Sequence, residues 1–405
     1  MLKQAVFLVG GLGTRLKERT RATPKPLLEV AGRPFLDTLL DEVVRHGFTD
    51  ILLLSGHFGD QVADRYDGRV WRGASIRVLR EPEPLGTGGA LRFALPHLAP
   101  AFLMANGDSF FDINLRALAA DVPDGGAVMA LRDVSGDRYG RVRFDQGCVL
   151  SFHAPEEGVT GPINGGIYAI SRAVAETIGP GKVSLEAEIF PQLATAGLLN
   201  GILFDRYFID IGVPEDFERA QGELPTRLWR PAVFFDRDGV LNADTGYVHR
   251  PEEFVWLEGA KAAIRLCNDR GWLVFVITNQ AGVAHGYYPE SAVHALHGWM
   301  DEELARSGAH VDAYEYCPHH PDGKSAEYRR VCHRRKPGPG MILNLMAHWP
   351  VEKGRSFLVG NMPSDMEAAR AAGIPGYLYC TGNIESFIQP LLRICGNSVV
   401  TGSAT

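Results

Sequence analysis

Asp236 and Asp238 close an apolar run in "AVFFDRDGVLN", residues 232–242. At strand spacing, side chains two residues apart project from the same face. One carboxylate can then attack phosphorus while the other handles the leaving group's proton. Two acids held this close repel one another without a cation, so the pair implies a metal.

A second constellation precedes it. "VGGLGTRL", residues 9–16, follows an apolar run directly, and its glycines let backbone N–H groups crowd around a phosphate. Arg15 adds a charged fork to that loop. Ten residues later comes "TPKPLLEVAGRP", where Pro24 and Pro26 stiffen the backbone around Lys25 and hold its amine still. A third stretch, "FLVGNMPSDMEAA" (357–369), sets Asn361 and Asp365 behind another apolar run and a glycine.

These motifs need rigid elements to present them. "AVFLVGG", "ILLLSG" and "AFLMANGD" are short apolar runs that end in glycine or polar residues, the pattern of buried parallel strands. Phe35, Leu36, Leu39, Leu40, Val43 and Val44 recur at helical spacing between the first two. The alternation restarts near residue 232 with "AVFFDRDG", "LVFVITNQ" and "FLVGN". The expected fold class is α/β, as two doubly wound, mostly parallel sheets with their polar motifs at the carboxyl ends of strands. The expected domains are 1–222 and 232–390, joined by a linker over 223–231 and followed by a flexible tail over 391–405.

Bulk properties fit this organisation. A chain of 405 residues with 45 % apolar content suffices for two cores. The net charge of −7, without a long run of one sign, argues against nucleic-acid and membrane-surface binding. No run approaches the roughly 18 apolar residues of a membrane helix. The opening run "AVFLV" reads as a strand rather than a signal peptide, so a soluble, cytoplasmic protein is expected. The six cysteines are scattered, which favours free thiols or a metal site over disulfides.

Residues 1 to about 222 resemble the sugar-1-phosphate nucleotidyltransferases. The motifs GGxGTRL and PKP carry the likeness, and "EPLGTGGAL", "NGDSFFD", "INGGIY" and "FIDIGVPEDFERA" draw it toward the heptose 1-phosphate guanylyltransferases. The resemblance implies that Gly10, Gly11, Gly13, Thr14 and Arg15 hold the nucleoside triphosphate, with Gly86, Thr87 and Gly88 near the base. It implies that Lys25 binds phosphate oxygens, that Asp108 and Asp210 hold Mg2+, and that Asn164 and Gly165 contact the sugar. Such chemistry is positioning plus charge neutralisation, since a sugar phosphate oxygen attacks the α-phosphorus in line and pyrophosphate leaves. One departure stands out: Pro155 occupies the place of a family lysine that grips the sugar phosphate, and Lys182 is the candidate replacement.

Residues 232 to about 390 resemble the haloacid dehalogenase superfamily, and within it the heptose bisphosphate and histidinol phosphatases. "DRDGVLN", "GYVHRPEEF", "TNQAGVAHGYY", "CPHHPDG" and "RKPGPGM" carry that likeness. It implies Asp236 as nucleophile, Asp238 as general acid and base, Thr278 and Asn279 as phosphoryl ligands, Arg335 as a substrate contact and Lys336 as stabiliser of the phosphoaspartate. It places Mg2+ among Asp236, Asp238, Asn361 and Asp365. Here the family has Asp then Lys where this chain has Asn361 and Met362, and a neutral carbonyl should hold Mg2+ less well. Asp365 is expected to compensate in part through a water. Cys317, His319 and Cys332 form most of a zinc loop, but Arg334 stands where a fourth thiolate belongs, leaving His320 or His333 as the fourth ligand.

The expected whole is a bifunctional enzyme that uses Mg2+ and carries a candidate Zn2+ loop. It would dephosphorylate D-glycero-D-manno-heptose 1,7-bisphosphate at C7 and transfer GMP from GTP, or from another NTP its own nucleotide, to the resulting sugar 1-phosphate. The alternative is an active sugar-1-phosphate nucleotidyltransferase, for another sugar or NTP, fused to a catalytically impaired phosphatase-like binding domain.

Overall fold

The computed structural model describes residues 2–11, 14–135, 138–156 and 158–396. The chain divides into two compact units, Met1–Arg227 and Leu228–Thr405.

In the first unit, the three apolar runs that open the chain become Gln4–Leu8, Asp50–Ser55 and Ala101–Asn106. They lie side by side in a ten-stranded sheet with Gln4–Leu8 between the other two, both parallel to it. Ala74–Arg80 extends the parallel run. Beyond Ala101–Asn106 the sheet becomes mixed: Thr160–Ser171 pairs antiparallel with both Ala101–Asn106 and Ala127–Ser135. The parallel strands all end at one edge, which puts Gly10, Gly56 and Gly107 together there. Gly10 and Gly56 touch so closely that a Cβ on Gly10 would lie 2.6 Å from the Gly56 nitrogen. Helix Phe35–Arg45 buries Phe35, Leu36, Leu39, Leu40 and Val43, as its spacing predicts.

A two-stranded ribbon finishes this edge. Ser109–Phe111 pairs antiparallel with Phe208–Asp210, with Ser109 opposite Asp210. Asp108 and Asp210, far apart in the chain, become neighbours through this register.

The second unit has five parallel strands in the order Ala313–Cys317, Leu273–Asn279, Ala232–Phe235, Phe357–Gly360 and Gly376–Leu378. Both faces are covered, and alternate residues feed opposite cores: Val233, Phe235, Val274 and Val276 on one side, Phe234, Leu273, Phe275 and Ile277 on the other. Each such burial contributes roughly 1.5–3 kcal/mol, which is why these strands read as continuous apolar runs. Asp236 follows the central strand, so its carboxylate sits at the carboxyl edge of the sheet.

Two boundary expectations change. The stretch expected as a linker over 223–231 starts inside a helix, Pro214–Leu228, which carries Pro225 within it. Arg230 then pairs with Val351 as part of the second unit. At the other end, helix Ile384–Gly396 continues into the segment expected as tail and buries Ile384, Ile388, Leu392 and Cys395. Its apolar residues recur every three or four positions, and that periodicity outweighs Pro390.

Candidate active sites

Lys25 organises the first site. Its ammonium pairs with the Asp108 carboxylate and lies 3.5 Å from Asp210 Oδ1. The prolines on either side hold it in a short 3-10 turn, Lys25–Leu27. Asp210 Oδ1 accepts the Gly212 N–H at 2.7 Å, and Arg138 Nη2 lies 3.2 Å from Asp210 Oδ2. Burial, followed by the neighbouring Asp108, pushes the Asp210 carboxyl above its ordinary range, while Lys25 and Arg138 pull the other way. Two close carboxylates in need of positive charge suit a divalent cation with oxygen ligands.

Leu8, Val9, Gly11, Lys25, Asp108 and Thr87 border a cavity of about 200 Å3 at this edge. Gly10 is not among its lining residues and packs on Gly56. Thr14 begins the 3-10 helix Thr14–Thr20, and Arg15 is exposed on that helix. Gly13 lies outside the described residues. Gly86, Thr87 and Gly88 open helix Gly86–Phe93, whose first residue has φ +72°. The Gly88 N–H donates to the Val183 carbonyl at 2.9 Å, so this part of the glycine motif packs against the chain itself. Thr87 does face the cavity: its hydroxyl donates to Glu186 Oε2 at 2.7 Å and accepts the Leu185 N–H at 2.8 Å. Glu186 also lines the cavity and was not singled out from the sequence. Asn164 and Gly165 are not among the lining residues; Asn164 donates to the Tyr168 hydroxyl at 2.7 Å and accepts the Gly166 N–H at 2.9 Å. Lys182 is exposed.

The second site is built around Lys336. Its ammonium lies 2.7 Å from Asp236 Oδ1, 2.7 Å from Asp365 Oδ1, and donates to the Ile277 carbonyl at 3.2 Å. Burial alone would lower this ammonium's pKa, but the two carboxylates outweigh burial and hold it above its ordinary value. Burial likewise raises Asp236, to about 7, against the opposing pull of Lys336. Asn279 fixes the lysine's backbone: it donates to the Lys336 carbonyl at 3.1 Å and accepts the Lys336 N–H at 3.0 Å.

Asp238 is held by a partner the sequence reading passed over. Arg237 is fully buried and clasps Asp238, with Nη2 at 3.0 Å from Oδ1 and 2.9 Å from Oδ2. The same nitrogen donates to the Val248 carbonyl at 2.7 Å. Gln280 donates to Asp238 Oδ2 at 3.1 Å and to the Thr278 hydroxyl at 2.8 Å, and Tyr288 donates to Gln280 Oε1 at 2.7 Å. Strand alternation would turn Arg237 away from its neighbours, so only the fold returns its guanidinium to Asp238. Asp236, Asp238, Thr278, Asn279, Arg335, Lys336, Asn361 and Asp365 all border one cavity of about 350 Å3, so the fold gathers every residue named for this centre.

Asp365 has two partners of its own. One carboxylate oxygen meets Lys336, and the other accepts the Met362 N–H at 3.0 Å in the first turn of helix Pro363–Ala372. It is an ion-pair partner and a helix cap, and each oxygen keeps a further lone pair for another ligand.

In the cysteine loop, Cys317, His319 and Cys332 bring their ligand atoms within 4.8 Å of one another. Among the described residues neither His320 nor His333 joins them. His320 Nδ1 accepts the Asp322 N–H at 3.1 Å. Arg334 turns away, pairing with Glu315 and donating to the Tyr316 carbonyl at 3.1 Å. The three donors fit a borderline-soft cation, with the fourth position left to a non-protein ligand.

Residues 4–227 match the nucleotidyl transferase family model, and residues 333–386 match a HAD-hydrolase-like model. A curated relative from Rhodopseudomonas palustris is 50 % identical over 163 residues, 40 % of this chain and 91 % of its own length. The chain is a nucleotidyl transferase joined to a HAD-like hydrolase. That relative carries the name D-glycero-beta-D-manno-heptose-1,7-bisphosphate 7-phosphatase, as does one from Escherichia coli K12, 42 % identical over 36 % of this chain and 75 % of its own. The nucleotidyl transferase unit is similar to the crystal structure of HddC from Yersinia pseudotuberculosis in complex with GMP-PN. The match has a TM-score of 0.50 and 31 % identity, and covers 55 % of this chain and all of the other. No helix among the described residues is long and apolar enough to cross a membrane.

Proposed function

We propose that the chain carries out two consecutive steps of nucleotide-activated heptose synthesis. The HAD-like unit removes the 7-phosphate of D-glycero-D-manno-heptose 1,7-bisphosphate, and the nucleotidyl transferase unit joins the heptose 1-phosphate to GMP from GTP. The observation that carries this reading is the pair of lysine-bridged carboxylate centres: Lys25 with Asp108 and Asp210, and Lys336 with Asp236 and Asp365. The phosphatase relatives support the first substrate, and the GMP-PN complex of the similar transferase supports guanine as the base.

In the hydrolase unit, Asp236 attacks the phosphorus of the 7-phosphate and the bond to the C7 oxygen breaks. Asp238, aimed by Arg237, gives that oxygen its proton, then takes one from the water that opens the phosphoaspartate. Lys336 offsets the charge on Asp236 throughout, and Thr278 and Asn279 stand beside it to receive phosphoryl oxygens. In the transferase unit, a phosphate oxygen of the sugar attacks the α-phosphorus of GTP and pyrophosphate departs. Lys25 neutralises charge on the phosphates, and Gly11 and Gly107 line the cradle beside it. Magnesium would be held by Asp108 and Asp210 in one unit and by Asp236, Asp238 and Asn361 in the other. When bound it neutralises developing phosphate charge. Zinc would be held by Cys317, His319 and Cys332.

The test offers the full-length protein the α and β anomers of the bisphosphate separately, then GTP, following phosphate and pyrophosphate release. Phosphate release lost in Asp236→Ala and pyrophosphate release lost in Lys25→Ala are expected. Pyrophosphate release from directly supplied heptose 1-phosphate and GTP, without any phosphate release from the bisphosphate, would leave the hydrolase unit a silent partner.

A further inference from the structure

The Asn361 side chain sits in a notch that only glycine leaves. A Cβ on Gly239, where φ is +80°, would lie 2.1 Å from Asn361 Nδ2. With its nitrogen against that backbone, the amide leaves Oδ1 buried and without a hydrogen-bond partner among the described residues. Asn361 borders the cavity shared by Asp236 and Asp238. An unpartnered buried carbonyl oxygen beside two carboxylates is a cation ligand in waiting.

The surrounding charges nearly cancel, with four carboxylates set against three cations. Asp236 and Asp365 both face Lys336, and Asp238 faces Arg237. Arg335 adds another cation to the lining, and Asp244, the remaining acid, is exposed. A divalent ion approaching this cavity therefore meets little uncompensated negative charge. A phosphoryl group would supply what the neutral amide lacks.

We propose that the hydrolase unit does not hold its divalent cation in advance but takes it up together with the phosphoryl group, with Asn361 Oδ1 as a neutral ligand. This rests on the phosphoaspartate reading above. Because coupling between two ligands is reciprocal, the cation and the phosphoryl group raise one another's affinity by the same factor. The chain thus stays metal-free at this centre until substrate arrives.

The experiment is calorimetric titration of MgCl2 into the full-length chain carrying Asp108→Asn and Asp210→Asn, so that the transferase carboxylates do not contribute. It is run with and without orthovanadate as the phosphoryl analogue, and repeated with Asn361→Asp added. Orthovanadate should tighten Mg2+ at least about tenfold, and Asn361→Asp should tighten Mg2+ alone by a similar factor while shrinking the orthovanadate effect. Mg2+ affinity that is indifferent to orthovanadate, or to Asn361→Asp in its absence, overturns the proposal. Mg2+ binding seen only in the Asn361→Asp chain also overturns it, yet leaves the phosphoaspartate reading standing. No Mg2+ binding in either chain under either condition removes that reading as well.

Discussion

The Lys336 ammonium lies 2.7 Å from the Asp236 carboxylate, in a pocket that leaves the lysine 4 % exposed. A nucleophile so placed is neutralised without being consumed, since an ammonium cannot accept the phosphoryl group while it stays protonated. Asp365 completes the arrangement from the other side. Lys336→Ala would bury two carboxylates facing each other, with a stability loss of about 3–5 kcal/mol measurable by denaturant unfolding of the hydrolase unit.

The two activities should separate by mutation. Asp236→Asn removes the nucleophile and should lower phosphate release from the bisphosphate at least about a thousandfold while leaving pyrophosphate release from directly supplied heptose 1-phosphate and GTP intact. Lys25→Ala should do the converse, lowering pyrophosphate release by about a hundredfold or more. Assays of both products from the same preparations check this, and loss of both in either variant would contradict it.

Arg237 acts through Asp238, so it is a positioning residue. Arg237→Lys keeps the charge but loses the planar fork that meets both carboxylate oxygens. The expected result is kcat for phosphate release lower by on the order of tenfold to a hundredfold with KM nearly unchanged. A merely structural arginine would change stability without that split.

His297 makes the hydrolase unit acid-sensitive. Burial, then nearby Arg237, lowers its pKa to about 3, and its ring stacks on Tyr314 with centroids 4.4 Å apart. A depressed base pKa means that the unfolded chain binds the extra proton first. Stability from this group is present above pH about 6.5 and falls as pH drops toward about 3, reaching a loss of about 2 kcal/mol at pH 5. His297→Phe keeps the stack and should flatten the fall between pH 7 and pH 5 in thermal melts.

Thr87 ties the start of its helix to Glu186 and to the Leu185 N–H. Thr87→Val leaves both without this partner beside the transferase cavity. A stability loss of about 1–3 kcal/mol and a higher KM for the nucleotide are expected, whereas Thr87→Ser should behave like the parent.

Much of this was legible beforehand because local chemistry repeats local constraints. Apolar runs ending in "GG", "GD" and "DRDG" are strands that deliver polar groups to a sheet edge, and the motifs around Lys25, Asp108, Asp236 and Lys336 named the groups delivered. The helix through the expected linker was less legible, since Pro225 masks its pattern. Glu186 lay in an unremarkable stretch, with nothing local to mark it as the partner of Thr87.

By itself, then, the sequence determined the classes of side chain at each centre and the strands that carry them, because strand period and turn chemistry act over a few residues. Only the tertiary structure decided their pairings. Asp108 meets Asp210 through a ribbon register, Arg237 folds back on Asp238, and Asp365 spends its oxygens on Lys336 and a helix cap. It also decided that Asn361 keeps one oxygen unpartnered among the described residues. Hydrogen bonds and ion pairs between distant segments depend on where the packed core sets each backbone, and no short window of sequence contains that information.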